Sequence, residues 1–423
     1  MTEEKPTLDT KVYQATDSKV LSMSDLLDYF AKHGRMRVSD LHIKVDCPPV
    51  YRIDGDLKKM NTSPFDRQTV RALAESLLGE NELKLLDENR SVDSSCFTEN
   101  MQFRLNCFHD RHGLAIAVRA LERHTPKVED IGFPNKVWQD IIKLQQGLVL
   151  LTGITGAGKS TTIASLICRI AEVRACRVIT LEDPIEYVLD SDKAIISQRE
   201  VGRDVPTFER GLRDCLREDP DVIFVGEMRD RESTQWTLTA AETGHLVFSS
   251  LHTRDTRGTL TRLLDMFPPE RHDEIASQLS LALRYVISQK LVPRSDGKGR
   301  VVAMEVLNNR YATSNLIRLG KVEQLYSHLQ TRTKDVSEER MTTMERSLAR
   351  LVADGKVAPL EAEKWADDHS TFLDEMQRIT QEADQAASEA SSPVPVQPPP
   401  AQPPPGRQSR PPAARRADDR TQQ

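Results

Sequence analysis

The chain has 423 residues, of which 38% are apolar and 29% charged, with a net charge of −6. That length suggests two domains plus extensions, and the acidic balance points away from a nucleic-acid partner. No apolar run approaches the roughly eighteen residues of a membrane span, and the six cysteines form no C-x-x-C pair, so neither a membrane protein nor a zinc or disulfide framework is indicated.

Residues 1–21 are polar and read as a mobile N-terminus. A short helix follows, with Ser24 as its N-cap and Leu26, Leu27 and Phe30 on one side. Strand-like segments come next at Asp40–Val45 and Val50–Leu57, with Asp54-Gly55 as a hairpin turn. Helical periodicity returns over Arg67–Leu86, and Met101–Phe108 and Leu114–Ala120 alternate as strands. These elements predict a small α+β domain over residues 22–122, with 123–137 as a linker. Arg104 and Arg119 both fall on the polar phase of their strands, and a hairpin tip near Arg111–His112 would set them opposite each other. Such a pair is either an ordinary solvated surface or a clamp for phosphate.

The second domain spans residues 138–370. It opens on the apolar run Gly147–Thr152, then the loop Gly153-Ile154-Thr155-Gly156-Ala157-Gly158-Lys159-Ser160, then helix-spaced Ile163, Leu166, Ile167 and Ile170. The loop fits G-x-x-x-x-G-K-[ST] between a strand and a helix, the Walker A context for nucleotide phosphates. Its glycines let backbone N–H groups converge on phosphate oxygens at the positive end of a helix. Residues 153–161, through Thr161, form the expected nucleotide cradle. Lys159 is expected on the β- and γ-phosphates, and the Ser160 hydroxyl on Mg²⁺. Three more apolar runs, Arg177–Leu181, Val222–Val225 and Leu246–Leu251, alternate with helical stretches. An α/β fold with a parallel sheet follows, with its ligand at the carboxyl ends of the strands. Residues 371–392 read as a helical extension. The tail 393–423, rich in Pro and Arg, reads as disordered.

Chemistry-bearing residues sit just beyond these runs. Asp219–Asp230 has the form of a Walker B strand, with Glu227 placed to hold the metal through water or to orient an attacking water. Glu182, Asp183 and Glu186 follow the preceding strand, where an acid can polarise water against a γ-phosphate. His245 and His252 bracket the run Leu246–Leu251, and each reads equally as a site residue or a structural one.

Taken together, Ser39-Asp-Leu-His42, the Walker A loop, Leu181–Glu186, Gln198–Val201, Leu216–Asp221, Val225–Asp230, Ala240–Val247 and Leu251–Thr253 resemble the type IV pilus retraction (twitching motility) ATPases of the type II/IV secretion family. The resemblance covers about residues 24–360. It implies a RecA-like P-loop core with a smaller N-terminal PAS-like domain, and a homohexamer that hydrolyses ATP with Mg²⁺. It assigns hydrolysis to Glu186 and Glu227, places His245 and His252 in a histidine box, and extends Arg104 and Arg119 to the nucleotide. It further implies cytoplasmic work at the inner face of the inner membrane, on a pilus platform protein, alone or beside a paralogous retraction ATPase. Where these ATPases often carry A-I-R-N-L-I, this chain reads Ala312-Thr-Ser-Asn-Leu-Ile317. Met228-Arg-Asp230 resembles one retraction paralogue and Leu291–Arg300 the other. Two rival readings are a pilus-assembly or type II secretion ATPase, and an ATP-binding regulatory subunit with little hydrolysis.

Overall fold

The computed structural model describes residues 5–33, 38–53, 56–98, 101–121, 125–335 and 340–391. The Asp54-Gly55 turn and the tail 393–423 lie outside the described residues. One compact unit extends through Ile379, and a second begins at Thr380 within the helix His369–Ser391.

The chain starts with a hairpin, β1 (Tyr13–Thr16) and β2 (Lys19–Leu21). Within the segment 1–21 expected to be mobile, the described residues from Tyr13 to Leu21 form this hairpin. Tyr13 and Ala15 alternate inward and are buried in the domain core, and the Tyr13 hydroxyl donates to Thr62 Oγ1 at 2.8 Å. Two buried apolar anchors are enough to hold an otherwise polar segment. The helix Met23–His33 follows, and its cap is Ser22 rather than Ser24. Asp25 Oδ2 accepts from the Ser22 backbone N–H at 2.7 Å, and Ser22 Oγ accepts from Asp25 N–H at 3.2 Å, a reciprocal capping box.

Six antiparallel strands then form one sheet in the order β5-β4-β3-β8-β7-β6. They are β3 (Val38–Lys44), β4 (Val50–Ile53), β5 (Asp56–Lys59), β6 (Ser91–Phe97), β7 (Gln102–Asp110) and β8 (Gly113–Leu121). The helical stretch expected over Arg67–Leu86 is two helices, Arg67–Leu77 and Glu80–Asn89, with Gly79 as the N-cap of the second. Phe30, Leu41, Tyr51, Phe103, Leu105 and Val118 fill the core between sheet and helices. Burying one Phe contributes about 2–3 kcal/mol.

Within residues 123–137, the described part is not a free linker. Val128, Phe133 and Val137 are buried against the helix that follows the glycine loop.

The second sheet has seven strands in the order β11-β10-β12-β13-β9-β14-β15. They are β9 (Gly147–Thr152), β10 (Arg177–Glu182), β11 (Ile195–Glu200), β12 (Val222–Val225), β13 (Leu246–Leu251), β14 (Leu283–Pro293) and β15 (Arg300–Asn308). All pair in parallel except β15, which runs antiparallel to β14. Both faces are covered, which is why β9 reads as an uninterrupted apolar run. Val149 and Leu151 pack with Ile163, Leu166 and Ile167 of the helix Lys159–Val173. Leu148 and Leu150 face the opposite way, toward Leu238, Ile275 and Leu279.

Hydrogen bonds among the described residues tie the smaller domain to the larger one. Ser95 Oγ donates to Glu200 Oε2 at 2.9 Å, and Gln102 Nε2 donates to Ile185 O at 2.7 Å. The second contact lies next to Glu186.

Candidate functional site

The carboxyl ends of β9, β10, β12 and β13 open into a cavity of about 500 Å³, within the usual size range for small-molecule sites. Its floor is the glycine loop and the start of the helix Lys159–Val173. Gly153 has φ 143°, and a Cβ there would fall 2.5 Å from Gln289 O, so only glycine fits. Gln289 in turn donates through Nε2 to Ala157 O at 2.6 Å, so β14 buttresses the loop from one side.

Lys159 is buried, with Nζ 2.9 Å from Gly153 O, 3.3 Å from Ile154 O and 3.3 Å from His252 Nδ1. Burial lowers its pKa, against the raising influence of Glu227 and Glu186. Of the loop residues expected to cradle phosphate, Thr155, Gly156, Gly158, Lys159, Ser160 and Thr161 line the cavity. The side chain of Ile154 is exposed, and Ala157 is buried beneath the loop. The Ser160 hydroxyl has no hydrogen-bond partner among the described residues. Thr161 Oγ1 lies 2.8 Å from the Tyr187 hydroxyl.

Glu227 reaches the cavity because Gly226 crosses close over β10. Gly226 N–H donates to Leu181 O at 2.8 Å, and a Cβ there would crowd Leu181 O at 3.3 Å. Both Glu227 oxygens are engaged. Oε1 lies 3.2 Å from His252 Nε2, and Oε2 accepts from Arg229 Nε at 2.9 Å. Arg229 also reaches Asp183 Oδ2 at 3.2 Å. The His252 ring bridges Lys159 and Glu227, with Nδ1 toward Lys159 and Nε2 toward Glu227. Lys159, His252, Glu227, Arg229 and Asp183 thus form one continuous chain of contacts.

Glu186 lines the cavity beside Pro184. Glu182 does too, and burial pushes its carboxyl up to about 7 even though Thr180 Oγ1 and Gln198 Nε2 donate to it at 2.7 and 3.1 Å.

The two arginines of the smaller domain are cross-strand partners, as the hairpin geometry predicts. The structure separates their roles. Arg104 is exposed, lines the cavity, and has no hydrogen-bond or ion-pair partner among the described residues. Arg119 does not line the cavity. Its Nε donates to Asp40 Oδ1 at 2.7 Å. Burial opposes the charge on Asp40, but hydrogen bonds from Ser39 and Arg119 outweigh it and hold the carboxyl below the usual range.

The two histidines also part company, and His245 is not brought to the cavity. His252 leaves the carboxyl end of β13, whereas His245 precedes its amino end, about 20 Å away along the strand. His245 Nδ1 lies 2.9 Å from Ala240 O and 3.2 Å from Thr243 Oγ1. Residues that flank a parallel strand stand on opposite edges of the sheet, so within one chain they cannot share a site.

Phe208, Arg229, Ser250, Leu291 and Arg300 complete the lining and were not anticipated. Arg229 stands in the recognised Val225–Asp230 block, two residues past Glu227. Leu291 and Arg300 end a segment noted only for its resemblance to a paralogue, and the β14–β15 pairing carries Arg300 to the cavity. Among the described residues, no group of three His, Cys, Asp or Glu side chains could hold a metal by itself, and no helix is long and apolar enough to cross a membrane.

A glycine loop on a parallel sheet, with a lysine and converging carboxylates, defines a P-loop nucleotide-binding protein. The chain belongs to the type II/IV secretion system protein family, whose model matches residues 34–385. It is 39% identical over 339 residues to the type IV pilus retraction ATPase PilT of Pseudomonas aeruginosa, covering 80% of this chain and 96% of that one. It is 33% identical over 330 residues to the type IV pilus ATPase PilU of the same organism, covering 78% and 85%. The crystal structure of the pilus retraction motor PilT with bound ADP superposes with a TM-score of 0.74 at 40% identity, covering 82% of this chain and 98% of that one.

Proposed function

We propose that this chain is a motor ATPase that couples ATP hydrolysis to retraction of a type IV pilus. The observation that carries the reading is the cavity itself, where the glycine loop, Glu186, Glu227 and His252 of one domain meet Arg104 of the other, which has no partner among the described residues. The similarity to a pilus retraction motor supports the direction of the work.

Lys159 would exchange the Gly153 and Ile154 carbonyls for β- and γ-phosphate oxygens. Glu227, with Glu186 beside it, would orient a water and take its proton as the water oxygen bonds to the γ-phosphorus and the bond to the bridging oxygen breaks. The two Glu227 oxygens also contact His252 and Arg229, which orient the carboxylate toward the cavity. The free Ser160 hydroxyl and the Glu227 carboxylate suit Mg²⁺. When bound there, the ion would neutralise charge on the phosphates. Arg104 would close on the phosphates with its domain and release once phosphate leaves, so domain closure follows the nucleotide state.

The motor would work as a homohexamer on the cytoplasmic face of the inner membrane. It would push on a pilus platform protein, alone or beside a paralogous retraction ATPase. His245, on the far edge of the sheet, would then serve the ring rather than its own cavity. The test is surface piliation of a deletion strain. Excess pili are expected, and bald cells would overturn retraction in favour of assembly.

A further inference from the structure

Strand order gives the cavity two ends. β12 and β13, which bring Glu227, Ser250 and His252, lie to one side of β9, and β14 and β15 lie to the other. The glycine loop stands between them. A triphosphate whose terminal phosphorus faces Glu227 must project its remaining length toward β14 and β15. That end is lined by Leu291 and Arg300.

The register shows why those two side chains meet there. Cross-strand partners share a face of the sheet. Gln289 pairs with Met304, Leu291 with Val302, and Pro293 with Arg300. Residues two apart along a strand also share a face, so Gln289, Leu291 and Arg300 all stand on one side. Gln289 fixes which side, because its amide donates to Ala157 O in the glycine loop at 2.6 Å. Met304 and Val302 agree, packing in the cluster that holds the helix Lys159–Val173. Leu291 lies against the loop as well, since a Cβ on Gly158 would come within 3.7 Å of its Cδ1. The other face of the hairpin, with Val292 and Ala303, is covered by the C-terminal helices.

Arg300 is exposed and has no hydrogen-bond or ion-pair partner among the described residues. The acids of its own hairpin are taken, Asp296 by Arg294 at 2.9 Å and the buried Glu305 by Thr256 at 2.8 and 2.7 Å. The acids of the cavity, Glu182, Asp183, Glu186 and Glu227, come from β10, β12 and the loops that follow them, on the far side of the glycine loop. A guanidinium that lines a phosphate-binding cavity with no internal counter-charge is complemented by an anion from outside. Resting on the nucleotide-hydrolase reading above, we infer that Arg300 is a nucleotide-binding residue that grips the phosphates at the end remote from the γ-position, with Leu291 as the apolar wall beside the nucleoside. Its grip is a ground-state one, the same for ADP and for ATP, in contrast with a contact to the γ-phosphate.

The experiment is calorimetric titration of the full chain with ADP and with a non-hydrolysable ATP analogue, together with steady-state kinetics, for the parent, Arg300→Ala and Arg300→Lys. Arg300→Ala is expected to weaken both ligands by a similar factor, on the order of tenfold. KM should rise by more than kcat falls, and raised salt should shrink the difference from the parent. Arg300→Lys should recover part of the affinity. Unchanged affinity for both ligands would overturn the inference, as would a fall in kcat with affinity retained. A parent that binds neither ligand would instead overturn the nucleotide-hydrolase reading.

Discussion

On the core wall of the cavity, Lys159, His252, Glu227, Arg229 and Asp183 touch in sequence, each held by the next. On the wall supplied by the smaller domain, Arg104 has no partner among the described residues, while Arg119 on the neighbouring strand is held by Asp40. The core wall is a connected set of contacts, seated on the carboxyl ends of the β-strands beneath. The domain wall brings the Arg104 charge on a strand that contacts the core close by, through Gln102 and Ile185. In the proposed motor the core wall would do the chemistry, and the wall that carries Arg104 would respond to which phosphates are present.

Breaking the core wall should have the largest effect. Lys159→Ala removes the charge meant for the β- and γ-phosphates and a donor to His252. Turnover should fall by at least about a hundredfold, with nucleotide affinity reduced as well. A coupled-enzyme phosphate assay checks the first and calorimetry the second. Arg104→Ala strips the domain wall of that charge. Here kcat should fall on the order of tenfold or more while ATP affinity changes little, because the contact forms only on closure. Equal losses in both would place Arg104 on the ground state and blur the distinction between the walls. Arg119→Ala should do less, within a few-fold of parent turnover, because Asp40 already holds that side chain. A loss as large as that of Arg104→Ala would mean that closure breaks the Asp40 contact.

The smallest effect concerns a buried carboxylate away from the cavity. Glu305 accepts from Thr256 N–H and Oγ1 at 2.8 and 2.7 Å, and burial pushes its carboxyl up to about 7. The folded chain therefore favours the protonated acid more than the unfolded chain does. That stabilisation is complete below the ordinary carboxylate range and is lost as pH rises toward 7. Glu305→Gln keeps an oxygen for Thr256 and carries no charge. Its thermal midpoint should exceed the parent's by a few degrees at pH 8, and the gap should narrow at pH 5. A gap that does not depend on pH would contradict the buried, raised carboxyl.

The parts of the site that could be read from the sequence are those built from neighbouring residues. Gly153 to Ser160 carry their strand, loop and helix in one stretch, and Val222 to Glu227 carry strand and acid together. What could not be read depends on contacts far apart in the chain. Arg119 and Asp40 are 79 residues apart, so nothing near Arg119 announces that it is taken. Arg300 reaches the cavity only through an antiparallel hairpin appended to a parallel sheet. The edge strand β11, Ile195–Glu200, is mostly polar and carries no apolar run to mark it. His245 and His252 looked equivalent because they bracket one strand, but a strand's two ends face opposite edges of the sheet. The N-terminal hairpin was hidden because two inward residues, Tyr13 and Ala15, hold a segment whose composition is polar.

The central claim is that the wired core wall performs ATP hydrolysis through Glu227. It is tested most directly by measuring ATP affinity and turnover for the parent and Glu227→Gln side by side. The amide keeps the shape and the contact with His252 but cannot take a proton from water. ATP affinity should stay within a few-fold of the parent while turnover falls on the order of a hundredfold or more. Turnover at the parent rate in Glu227→Gln would contradict the assignment.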